Sequence, residues 1–160
     1  MKDLMRPDSK PTPRALFRTF ATAEMITWAL LITALILRGT GVTNIVPIAG
    51  GIHGFVFLSY CVVTVFTWVN QQWKAPVGVA GLLLSVIPFA TVPFELFLDK
   101  RGLLRGGWRL APGGAAPSGP FEKAQAWVLA KPALASALLL AFVVLLFVVL
   151  LMAGPPVPKN

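Results

Sequence analysis

Three ionisable residues stand in stretches that are otherwise almost wholly apolar: Glu24 in "FRTFATAEMITW", His53 in "GIHGFVFLSY" and Glu95 in "SVIPFATVPFELFLDKR". Histidine titrates near neutral pH, so an imidazole beside carboxyl groups could bind or relay protons. The same groups could instead clasp helix to helix through hydrogen bonds. Metal or haem chemistry is disfavoured. His53 is the only histidine in the chain, a zinc-type site wants further imidazole or thiolate ligands, and no Cys-x-x-Cys-His motif is present. No cofactor is expected. Catalysis is not expected either, since the chain has no Ser-x-x-Lys, no Walker loop and no HExxH.

Composition decides where these residues must work. The 160 residues are 56% hydrophobic and 12% charged, against about 25% charged in soluble domains. Residues 75–94 carry no charge, and neither do residues 132–158. Uncharged apolar runs of about 18 residues or more read as membrane spans. The net charge of +8 could suggest nucleic acid, but no nucleic-acid motif accompanies it. The basic residues flank the apolar runs, as membrane topology requires, so no nucleic-acid partner is expected. Cys61 is single, which excludes an internal disulfide and leaves a small packing residue.

The expected fold is all-α, a polytopic membrane bundle with four apolar helices near residues 14–37, 48–70, 76–98 and 121–153. A polar tail (1–13) precedes a three-helix membrane domain (14–101). A Gly/Pro-rich basic loop (102–119), expected to lack a packed core, leads to a C-terminal membrane helix (120–154) and a short tail (155–160). The first apolar stretch is too long for a signal peptide and lacks a small-residue cleavage site, so it reads as an anchor.

Taken together, the three quoted patches resemble the DUF3817 family of small bacterial integral membrane proteins with a His-Gly motif, over residues 14–101. The family pattern carries over to Glu24, His53, Gly54, Pro88 and Glu95. The chain departs from it at "PFATVPFE", where Ala90 and Pro93 replace expected residues. The resemblance implies a multi-pass protein of the bacterial inner membrane and implies no activity.

Small residues four apart, Gly50 with Gly54 and Gly81 with Ser85, are expected to let helices approach closely. Pro88 and Pro93 are expected to kink the third helix. If that helix crosses fully, His53 and Glu95 share one membrane depth and should pair, with Glu24 deeper. Charge then fails to orient the bundle. Lys2, Arg6, Lys10, Arg14, Lys74 and Lys159 would face Arg38, Lys100, Arg101, Arg105, Arg109, Lys123 and Lys131 across the bilayer. A re-entrant third segment is the alternative, placing eleven of these against two. The lipid bilayer is the first partner implied. Beyond it, the expected role is a non-enzymatic accessory protein that binds a partner membrane protein. The rival is a small homo-oligomeric transporter or channel using Glu24, His53 and Glu95.

Overall fold

Thr12 starts the first helix: its hydroxyl accepts the Ala15 N–H at 3.1 Å, and Pro13 fills the first turn, where a missing N–H costs nothing. The computed structural model describes residues 11–154, and its elements there are all helices. Helix α1 spans Pro13–Gly39 and α2 spans Val46–Gln71. At 1.5 Å per residue each is about 40 Å long, ample for a hydrocarbon core of about 30 Å. They form an antiparallel pair packed along its length.

The third apolar run does not make one helix. Helix α3 covers Ala75–Leu84 and α4 covers Thr91–Lys100. Between them Pro88 lacks an N–H and pushes residue 87 away from helical geometry. Phe89 adopts the left-handed conformation with φ 65°, unusual for a bulky residue. Pro93 then lies in the first turn of α4, where proline is tolerated. The prolines therefore end one helix and begin another, in place of the expected kink. Each ten-residue arm is about 15 Å long, half a bilayer.

The second arm returns to the end where the first began. The Trp73 indole N–H donates to the Leu103 carbonyl at 2.8 Å, joining the two feet. Thr91, Glu95 and Asp99, spaced by four on α4, meet Ala21, Arg18 and Arg14 on α1 in reverse order. The expected third crossing is thus corrected to a re-entrant hairpin.

The last apolar segment is also divided. Helix α5 (Gly119–Ala130) and α6 (Pro132–Ala153) meet at Lys131, whose φ −126° and ψ 62° break the helix ahead of Pro132. Helix α6 is apolar all round and largely exposed, as a lipid-facing span should be. Three helices, α1, α2 and α6, are long and apolar enough to cross a membrane.

The basic loop between α4 and α5 is seated. Leu104 and Leu110 are buried. Asn70 accepts the Arg109 backbone N–H at 2.9 Å and donates to the Gly107 carbonyl at 3.2 Å. Arg109 pairs with Glu122 and holds that carboxyl below its ordinary range, helped by the Ser118 N–H. Of the two expected tails, residues 1–10 and 155–160 lie outside the described residues. Pro11 is in place, its carbonyl accepting the Trp108 indole N–H at 2.8 Å.

Three crossings and a hairpin put the Lys74 turn and the basic loop on one side of the bilayer. In a Cys61→Ala background, single cysteines at Lys74 and Ala115 should react with a membrane-impermeant thiol reagent from the same side, and one at Thr43 from the other. Labelling of Ala115 from the Thr43 side would overturn the hairpin.

Candidate intramembrane polar site

The sequence-marked residues fall into two clusters at different depths. Near the start of α1, the Arg18 Nε donates to Glu95 Oε1 at 2.9 Å and its Nη2 to Asp99 Oδ2 at 3.1 Å. Arg14 also pairs with Asp99. Glu95 is 2% exposed, whereas about half of the Arg18 side chain remains accessible. The long arginine stem lets the carboxylate stay buried while the guanidinium reaches the surface. One turn deeper, the Thr91 hydroxyl donates to the Ala21 carbonyl at 2.9 Å.

The second cluster lies near the middle of α1, where the hairpin tip arrives. His53 Nε2 is 4.0 Å from Glu24 Oε1. His53 Nδ1 is 3.1 Å from the Thr27 hydroxyl, which also donates to the Glu24 carbonyl at 3.0 Å. The Thr27 hydroxyl thus bridges the Glu24 carbonyl and His53 Nδ1, and Nε2 is the ring nitrogen that faces the Glu24 carboxyl. The Trp28 ring packs on the imidazole with centroids 4.6 Å apart, and its N–H donates to the Ser85 carbonyl at the hairpin tip at 3.1 Å. Glu24 is fully buried. Although Trp28 lies close, neither Glu24 carboxyl oxygen meets a donor at bonding geometry.

The expected His53–Glu95 pair is therefore corrected. The hairpin returns Glu95 to the Arg18 level, nine residues and about 13 Å of helix rise from Thr27. An aromatic cluster packs at the Glu95 level: the Phe17 ring lies tilted or edge-on against Tyr60 and Phe94 at 5.7 and 6.4 Å. Glu24 and His53 come together; Glu95 stands apart from both.

The small residues divide similarly. A Cβ on Gly81 would lie 2.9 Å from Thr64 and 3.1 Å from Phe94, so this glycine does permit a close approach. The Tyr60 hydroxyl uses it, donating to the Gly81 carbonyl at 3.2 Å. Ser85 is buried and bonds back to the Leu82 carbonyl. Gly50 faces Leu31 of α1, while Gly54 faces Phe147 of α6; neither clears a path to the third segment. Gly78 escaped the sequence reading although it is the tightest, since a Cβ there would sit 2.0 Å from the Trp68 ring. Arg18, Asp99, Thr91 and Thr27 were also missed as site residues. The signal was present: acids at 95 and 99 mirror arginines at 14 and 18, each pair one helical turn apart.

Chemically, the deep cluster sets a carboxyl group and an imidazole 4.0 Å apart, so that a small approach of the two would bring them within proton-exchange distance. Among the described residues no group of three His, Cys, Asp or Glu could hold a metal ion.

Loss of the shallow clasp should be costly. Arg18→Leu leaves Glu95 buried without its cation and should lower stability by about 1–3 kcal/mol, below the value for a fully buried pair because Arg18 is half exposed. Arg18→Leu with Glu95→Leu should recover part of that loss. Thermal unfolding in detergent reads both, and an Arg18→Leu variant as stable as wild type would refute the clasp.

Comparison with known proteins agrees with this setting. The chain is 32% identical over 91 residues to the "Putative membrane protein SCO5905" of Streptomyces coelicolor, a match covering 55% of this chain and 11% of that relative. The chain thus spans only about a tenth of the curated relative it matches. No solved structure matches. Residues 14–100, covering α1 to α4, match the model of a domain of unknown function, DUF3817, and the chain belongs to that family.

Proposed function

We propose that this chain is a non-enzymatic accessory protein of the bacterial inner membrane, which binds a partner membrane protein through the tip of its re-entrant hairpin. The observation that carries this reading is the exposure of that tip. Val86, Ile87 and Phe89 are 62, 53 and 43% exposed at the depth of Trp28, near the middle of α1. Irregular backbone at membrane depth is tolerated where protein or a water-filled cavity covers it, and lipid does neither. A partner helix laid over residues 86–90 meets that need. The 91-residue unit shared with a relative about nine times as long supports the same reading, since there the unit lies beside much further chain.

A specific observation favours a second reading. The buried Glu24 carboxyl beside His53 is an expensive arrangement in a membrane unless it is used. In a small oligomeric transporter the pair would carry protons.

Affinity capture of the tagged chain in mild detergent separates the two. A stoichiometric foreign membrane protein, lost with Phe89→Ala, is the expected result. Capture of its own copies alone would reject the accessory reading. In that case Glu24→Gln should abolish proton uptake by reconstituted vesicles, measured with an internal pH dye, while leaving thermal stability unchanged.

A further inference from the structure

Two cavities meet at one tryptophan in the half of the bundle near the basic loop. The first is an apolar groove of about 410 Å³ between α1, α2 and the α5–α6 segment, lined by Phe20, Val62, Leu129 and Leu139 among others. Along α2 it runs from Phe66 to Phe55, about 16 Å of depth. The second, of about 450 Å³, is polar and holds Arg105, Gln71 and Gln72. Trp108 lines both. Its ring packs on Phe66 at 5.2 Å and its N–H is fixed to the Pro11 carbonyl, at the level where indoles mark the membrane–water boundary.

No acidic residue lines the polar cavity, and Arg109, also in its wall, is paired with Glu122. Arg105 is exposed and makes no ion pair among the described residues, while Arg14, Arg18 and Arg109 are matched with Asp99, Glu95 and Glu122. The Gln71 Nε2 is a buried donor with no acceptor. A cation and an unfilled donor thus line a polar cavity that shares Trp108 with an apolar slot of acyl-chain length.

We propose that the two cavities form one site for a single anionic glycerophospholipid, one acyl chain lying in the groove beneath Trp108 and the phosphate at Arg105 and Gln71. Charge complementarity selects the lipid: the basic end of the bundle is the one the positive-inside rule assigns to the cytoplasm, and the cytoplasmic leaflet is the anionic surface. A zwitterionic lipid would fill the groove and gain less from Arg105. The α5–α6 segment, which the family match does not reach, builds one wall of the groove.

The test uses the full-length chain, stripped of lipid in detergent and titrated with phosphatidylglycerol or phosphatidylcholine under native mass spectrometry. One phosphatidylglycerol per chain is expected, bound about fivefold more tightly than phosphatidylcholine, the equivalent of roughly 1 kcal/mol for one surface cation. Arg105→Gln should remove the preference and Arg105→Lys should keep it. Arg105 lies outside the core, so both variants should melt as wild type does. Ser136→Trp, which fills the groove from the exposed face of α6, should weaken both lipids. Excess inorganic phosphate should not displace the lipid; displacement would reduce the site to a free-anion pocket and overturn the proposal. Equal binding of the two lipids by wild type, or an Arg105→Gln variant that keeps the preference, would also overturn it.

Discussion

A backbone that stops being helical at the centre of a bilayer leaves polar groups that lipid cannot satisfy. Residues 85–90 create that problem here, and much of the surrounding structure answers it. Trp28 caps the Ser85 carbonyl. Thr91 ties the returning arm to Ala21, and the Arg18–Glu95 pair fixes it one turn further out. Gly78 and Gly81 let the entering arm lie against Trp68 and Thr64, near enough for Tyr60 to bond a helix carbonyl. Each is modest singly, and hydrogen bonds within membranes average well under 2 kcal/mol. Together they seat two arms that are individually too short to cross the membrane.

The two buried glutamates show how environment separates roles for one residue type. Glu95 has a cation within hydrogen-bond distance and an exit to the surface along the Arg18 stem. Its charge is matched, and its task is to hold α4 on α1. Glu24 has no cation at bonding distance; it has an imidazole at 4.0 Å and is fully buried. A group that only clasped helices would be expected to complete its hydrogen bonds. Glu24 does not, which is why the deep cluster, and not the Arg18 ladder, is the place to look for proton chemistry.

Much of the fold was legible in the sequence because the property that dominates it, apolar length, is local. Long apolar runs mark α1, α2 and α6, and Glu24 and His53 announce themselves by interrupting two of them. What was hidden is the direction of the third segment. Length alone allows residues 76–98 to cross, and a proline pair reads equally as a kink or as a break. The choice depends on contacts remote in sequence, such as Trp73 with Leu103 and Arg18 with Glu95. The error in pairing His53 with Glu95 follows from that one step, since reversing a helix exchanges the depths of its two ends. Gly78 was missed for a different reason: its partner Trp68 lies ten residues away across a tight turn, and no four-residue spacing of small residues marks it.

The hairpin also resolves the charge pattern. If the third segment crossed, Lys100, Arg101, Arg105 and Arg109 would lie opposite Arg14 and Lys74, and loop charge would give no net direction. With the return, these groups share one side, while Arg38 lies in the last turn of α1, at the far end of the α1–α2 pair. Orientation is set by basic residues in short loops close to the ends of membrane segments, and the loop between α4 and α5 is such a loop. The prolines that break the third helix therefore act on two levels. They create the irregular tip that has to be covered, and they keep the basic segment after α4 at the same end of the bundle as Arg14 and Lys74.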